Sequence, residues 1–316
     1  MGNRQRVAVI GASGIGQHHA RWYHLSDCEV VAFVGTSPES RDSTQERLEG
    51  YFGFKGRGYT SVEEMLQTEA PDIVDVSSPY DVHHDHVYAG LESNAHVLCE
   101  KPLYWDESKN LDEILSTGNR MIEAAEDRGR LLGMSAQYPA SIPFYTQLYE
   151  RARGSMGTIE SVSMEMEVKA RKGPKLGEEI WIDVGSHPLS LVFGFLRGGI
   201  IDYPSAEFKV LEREVTGRFE VEHSGGRCKV DLVLRDIQEG NPIRRFGVNG
   251  LLADWEGYPD DEGIYRARLR SGDEAVECDD FMHILIDEFA RAAAGADGSV
   301  LVDGRNSLAN QTALVE

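Results

Sequence analysis

Apolar and polar positions follow two different rhythms along this chain, and the rhythm changes near residue 155. Before that point short apolar runs (Val7–Ile10, Glu29–Val34, Ile73–Ser77, Ala95–Cys99 and Leu131–Ser135) alternate with stretches of helical period. Those stretches are Gly14–Leu25, Pro38–Phe52, Asp81–Leu91 and Asp106–Glu126, with a short helix at Ser61–Gln67 opened by a serine cap. Ser37 followed by Pro38 reads as an N-cap with proline at the first helical position. Strands alternating with helices of this length predict βαβ units on a doubly wound parallel sheet.

Beyond residue 155 the period becomes two. Val162, Met164, Met166 and Val168 alternate with polar neighbours, and Cys228, Val230, Leu232 and Leu234 do the same. Further strands are expected at Ala206–Leu211, Arg218–His223, Arg245–Val248 and Ile264–Leu269. This is the pattern of a mainly antiparallel sheet with one face polar or covered by another layer. Two helices, Asp280–Ala294 and Gly304–Leu314, close the chain. The expectation is a Rossmann domain over 1–135 and an α+β domain over 136–316, with the final helices free to pack back on the first.

Composition narrows the choice of partners. Fifty-three acids against thirty-two bases leave −21, a field that disfavours nucleic acid and anionic membrane. No apolar run approaches the ~18 residues of a spanning helix, and a strand pattern begins too early for a signal peptide, so a cytoplasmic chain is expected. Cys28, Cys99, Cys228 and Cys278 lack the spacing of a zinc site or a disulfide framework and read as reduced thiols.

Candidate chemistry sits at the strand ends. The run Gly11-Ala-Ser13-Gly14-Ile15-Gly16 leaves the first strand and enters the first helix, where glycines let backbone approach a pyrophosphate and the helix N-terminus supplies N–H donors. At the end of the second strand, where a carboxylate grips the ribose of NAD, the chain has Thr36 and Ser37, with Arg41 one turn on. Two hydroxyls and a cation can accept a 2′-phosphate, so NADP is preferred over NAD. Lys101, in Glu100-Lys101-Pro102, follows another parallel strand, outside whose end ligands bind. Asp183 and His187 lie four apart, on one face of a helix. His83, His84 and His86 are adjacent, but helical geometry lets only His83 and His86 share a face, and no metal site is expected.

Together these motifs, with Ser78-Pro79 and His83 after a parallel strand and Asp303-Gly-Arg305 near the end, resemble the Gfo/Idh/MocA oxidoreductases, the glucose–fructose oxidoreductase and inositol dehydrogenase group. The resemblance implies a nicotinamide cofactor, hydride transfer to or from a sugar, cyclitol or related polyhydroxy substrate, and a homodimer or homotetramer. It assigns Lys101, Asp183 and His187 to catalysis, with Lys101 on the reacting oxygen and His187 as acid and base. Gly11, Ser13, Gly14, Ile15, Gly16, Ser78, Pro79, His83 and Glu100 fall to the cofactor. Ser190 and Gln137-Tyr138-Pro139 depart from the family pattern. An open, apolar face of the second sheet is expected as the subunit contact. Two alternatives stay open: a hydrolase or lyase using transient oxidation of a sugar carbon, and a non-catalytic regulator that senses the dinucleotide.

Overall fold

The computed structural model describes residues 4–169 and 173–316, and the chain divides into two units. The first takes in residues up to Ala136 together with Met282–Val315. In chain order it runs β1 (Arg6–Ile10), α1 (Gly16–Leu25), β2 (Glu29–Val34), α2 (Pro38–Phe52), β3 (Arg57–Tyr59), α3 (Val62–Glu69), β4 (Ile73–Val76), α4 (His83–Glu92), β5 (His96–Glu100), α5 (Leu111–Asp127) and β6 (Leu132–Ser135). The strands form one parallel sheet in the order β3-β2-β1-β4-β5-β6, the doubly wound topology expected from the alternation. Its central strands are buried on both faces, so they read as largely apolar runs, interrupted within β4 by Asp75. Strand order reverses beside β1, which places the β1 and β4 ends at the crevice where such sheets bind ligands.

Two local corrections apply here. The three-residue β3 carries too little pattern to be expected. The helix expected from Asp106 starts at Leu111 instead. Asn110 and Glu113 build a reciprocal capping box there, while Asp106 turns back to accept from the Ser108 N–H and hydroxyl.

The second unit spans Gln137–Phe281. It contains α6 (Ile142–Arg153), β7 (Ser161–Val168), α7 (Glu178–Val184), α8 (Ser186–Phe195), β8 (Ile200–Val210), β9 (Glu214–His223), β10 (Gly226–Asp236), β11 (Arg244–Val248), β12 (Leu251–Pro259), β13 (Tyr265–Ser271) and β14 (Glu274–Asp279). The strands make one sheet, β14-β13-β12-β11-β7-β10-β9-β8, antiparallel throughout except between β7 and β10. Helix α6 and strands β12 and β14 were not anticipated. Two further helices, α9 (Phe281–Ala293) and α10 (Gly304–Val315), follow, and from Met282 onward they belong to the first unit, where α10 lies beside α5.

One sheet face of the second unit is apolar and buried, with Met164, Met166, Leu232, Leu234, Phe246, Ala253 and Leu269 all inward. The other face corrects the expectation of an apolar open surface. Its positions carry Arg218–Asp231, Arg235–Glu214, Arg245–Asp254 and Arg268–Glu277 ion pairs, at 2.5–2.9 Å. Exposed large apolar side chains of this sheet gather instead on β8 and just beyond it, at Ile200, Tyr203, Phe208, Val210 and Leu211. Among the described residues no helix is long and apolar enough to cross a membrane.

Candidate active site

The glycine turn between β1 and α1 is built for close approach. Gly11 has φ 97°, and a Cβ there would stand 2.5 Å from the Ser77 carbonyl oxygen. A Cβ on Gly16 would meet the Gly11 oxygen at 2.7 Å and the Ser77 Cβ at 2.9 Å. Only glycine fits either place, because the turn is pressed against the end of β4. Gly14 is different: nothing lies within 4 Å of where its Cβ would be. Ser13, Gly14 and Ile15 are exposed, and no side chain caps the N-terminus of α1. Open space over a helix N-terminus that no side chain caps fits the pyrophosphate of a dinucleotide.

At the end of β2, Ser37 caps α2 by accepting from the Ser40 N–H at 3.2 Å, and Thr36 beside it is exposed. The Arg41 backbone packs on Gly35, where a Cβ would lie 2.8 Å from the Arg41 nitrogen. Its Nε donates to Asp42 at 2.7 Å, so its charge is shared with an acid that motif reading had left out.

The turn after β4 is tied down by His83. That ring is buried, with Nε2 2.9 Å from the Ser78 carbonyl and Nδ1 3.0 Å from the Pro102 carbonyl. Burial pushes its pKa down while the two carbonyls it faces push it up, and the ring stands between the β4 loop and the β5 loop. His86 shares that face as the spacing requires, its Nδ1 2.8 Å from the Ser78 hydroxyl, while His84 packs edge-on against Tyr104. Pro79 is exposed at the mouth of the same turn.

Glu100 is likewise turned inward. One of its oxygens accepts the Lys101 N–H at 3.1 Å, and the other lies 3.2 Å from His19 Nε2, a residue that motif reading passed over. His19 Nδ1 is 2.9 Å from Asp75, which in turn accepts from the Ser77 hydroxyl at 2.6 Å. His19 and Asp75 are fully buried. Burial pulls the imidazole pKa down, but the Asp75 and Glu100 carboxylates outweigh burial and push it up to about 10. An imidazolium therefore stands between two carboxylates, and a continuous polar path runs from the glycine turn through Ser77, Asp75, His19 and Glu100 to the backbone of half-buried Lys101. The only hint in the sequence was polar residues, Asp75 and His19, at strand and helix positions that should be core.

In the second unit α7 and α8 meet at Gly185, which keeps helical dihedrals (φ −59°, ψ −30°) and donates to the Trp181 carbonyl at 2.7 Å. The helical path continues, so Asp183 and His187 share a face. Asp183 is paired with Lys175, whose own N–H donates to buried Asp236 at 3.0 Å. His187 is almost buried, edge-on to Tyr138 with ring centroids 5.5 Å apart. Ser190, the departure from the family pattern, bends back to donate to the His187 carbonyl at 2.7 Å.

Residues 5–135 match the model of the GFO_IDH_MocA family, described as an oxidoreductase family with an NAD-binding Rossmann fold. Among curated relatives, D-glucoside 3-dehydrogenase of Escherichia coli is 36% identical over 99 residues, 31% of this chain and 27% of that protein. The 1,5-anhydro-D-fructose reductase of Ensifer adhaerens is 32% identical over 132 residues, 40% of this chain and 35% of that one. The matches thus span well under half the length of these relatives. Over 99% of this chain and 96% of the other, the fold matches UDP-N-acetylglucosamine 3-dehydrogenase of Acidithiobacillus ferrooxidans, with TM-score 0.71 at 19% identity.

Proposed function

We propose that this chain, whose N-terminal domain belongs to the Gfo/Idh/MocA oxidoreductases, transfers a hydride between a nicotinamide cofactor and a CH–OH or keto carbon of a sugar, cyclitol or related polyhydroxy compound. The observation that carries the reading is the glycine turn at the β1 end, closed at Gly11 and Gly16 and open at Gly14. A bound nicotinamide would supply the hydride acceptor or donor.

The protein's own groups handle orientation and the proton. Lys101 donates a hydrogen bond to the reacting oxygen and stabilises charge developing there. His187 takes the hydroxyl proton in oxidation and returns it in reduction, a task suited to an imidazole. Asp183 holds a substrate hydroxyl. Gly11, Ser13, Gly14, Ile15 and Gly16 cradle the phosphates, while Ser78 and Pro79 wall the nicotinamide side. Thr36, Ser37 and Arg41 favour NADP over NAD because no carboxylate stands at the end of β2 to repel a 2′-phosphate. Ser37 serves the phosphate through its N–H as well as the α2 cap. The chain works in the cytoplasm as a homodimer or homotetramer, a setting compatible with its four free cysteines.

The test is the absorbance of reduced nicotinamide across a panel of sugars and inositols, run with NAD and with NADP, on wild type and Lys101→Met. Wild type should turn over at least one compound, and the variant should lose about 100-fold in kcat while keeping its fold and cofactor affinity. A variant as fast as wild type would remove Lys101 from the reaction.

A further inference from the structure

The sheet of the second unit carries one arginine that breaks its own rule. Arg218, Arg227, Arg235, Arg245, Arg266, Arg268 and Arg270 each lie within 4 Å of a carboxylate. Arg244 does not. It pairs with Met166 in the β11–β7 register, two residues before buried Phe246, so it points to the inner face while its neighbour Arg245 points outward to Asp254. There the guanidinium lies 4.4 Å over the Trp255 ring. Its Nε is buried with no hydrogen-bond partner among the described residues.

Such a placement is costly unless something answers the charge. A chain with fifty-three acids had no shortage of counter-ions to put there. The surroundings are those of a binding wall. Trp255 is held by Phe281, stacked at 5.4 Å, and by Tyr138 at 5.6 Å, and Tyr138 also meets His187 at 5.5 Å. The Tyr138 ring therefore touches both the proposed proton acceptor and the indole on which Arg244 rests. Asp183, on the helix face of His187, is already neutralised by Lys175, so it does not repel an anion. The stacked, planar guanidinium is pre-oriented for the two oxygens of a carboxylate or phosphate.

We propose that Arg244 is an anion subsite of the substrate pocket, and that the physiological substrate is a polyhydroxy compound bearing a carboxylate or phosphate group. This rests on the oxidoreductase reading for the chemistry, and on Arg244 and its neighbours alone for the anion.

The experiment separates the two. Wild type and Arg244→Met are titrated with acetate and with inorganic phosphate at ionic strength held constant with chloride, following tryptophan fluorescence. Methionine keeps an apolar stem over Trp255 and removes charge and donors. Matched melting temperatures show that the variant is folded. Saturable binding to wild type is expected, weakened at least about tenfold in the variant, and the tighter of the two anions identifies the group. Rates are then compared for D-glucuronate, D-glucose 6-phosphate and D-glucose. The expected result is that the compound carrying the favoured anion has the highest kcat/KM in wild type and loses that advantage in Arg244→Met. No saturable anion binding, or equal binding by both proteins, overturns the subsite, even if neutral sugars are oxidised. Arg244-dependent anion binding with no hydride transfer on any compound would instead sink the oxidoreductase reading and leave the subsite standing.

Discussion

The molecule holds charge in two contrasting ways. Beneath the glycine turn of the first unit, His19, Asp75 and Glu100 are sealed among apolar strands and helices. On the outer face of the second sheet, arginines and carboxylates pair across neighbouring strands in contact with water. Distances overlap, 2.9–3.2 Å in the first and 2.5–2.9 Å in the second, yet the consequences differ. Removing an ion from water is expensive in the first case, so each member depends on the others. Water screens the second, and each pair there holds little that its neighbours cannot replace. Geometry alone does not rank the two sets; burial does.

The largest effect should follow from His19→Leu, which leaves Asp75 and Glu100 facing each other without the cation between them. Breaking a buried set in this way costs about 3–5 kcal/mol, read as a shift of the denaturation midpoint. A cost under about 1 kcal/mol would mean the cluster behaves like a surface pair. The pH dependence has a definite sign. The folded-state pKa of His19 is raised above its ordinary value, so the native state binds the extra proton. That contribution is fully present below about pH 6.5 and is lost as pH rises toward about 10. The buried Cys99 thiol and Tyr23 phenol are also pushed up, mainly by burial, and they lose stability in the same alkaline direction. The quantity to measure is therefore the difference between wild type and His19→Leu. It should narrow as pH rises across this window, and a difference that stays flat would show that His19 is neutral in the native protein.

How legible this was follows from what each residue does. The parallel sheet was readable because strands buried on both faces leave largely apolar runs, and the glycine turn because a tight approach admits no other residue. Helix α6 escaped because Tyr138 and Pro139 begin a short, tight helical turn, and Pro143 at its entrance reads as a break. Strand β12 does alternate, with Leu251, Ala253 and Trp255 inward and Asp254 and Glu256 outward, but exposed apolar Leu252 blurs the pattern; β14 offers a single buried position, Val276. At the site, Lys101, Asp183 and His187 stand out by motif. His19, Asp75, Lys175 and Arg244 do not, because what distinguishes them is which charge lies beside them in space, and spacing along the chain carries no trace of that.

Within the outer face the two expected effects can also be ordered. Arg235 stands among Glu165, Glu167 and Glu214, partly shielded from water. Arg235→Ala leaves three carboxylates together and should cost about 1 kcal/mol, with added salt reducing the loss. A cost as large as that of His19→Leu would erase the contrast between the two regions.

The smallest effect belongs to Arg268→Ala. Arg268 meets Glu277 at 2.5 Å and Glu256 at 3.8 Å, and its guanidinium also lies 4.8 Å from the centre of the Tyr258 ring. Its carboxylate partners are more exposed than those around Arg235, and Glu256 keeps Arg270 within 3.9 Å after the change. One acid is thus still answered and the other returns to water, where it needs no partner. The expected outcome is a denaturation midpoint within measurement scatter of wild type at physiological salt, and no dependence of the difference on salt. A salt-sensitive loss comparable to Arg235→Ala would show that the outer face acts as one connected lattice, so that replaceable pairs are the wrong description of it.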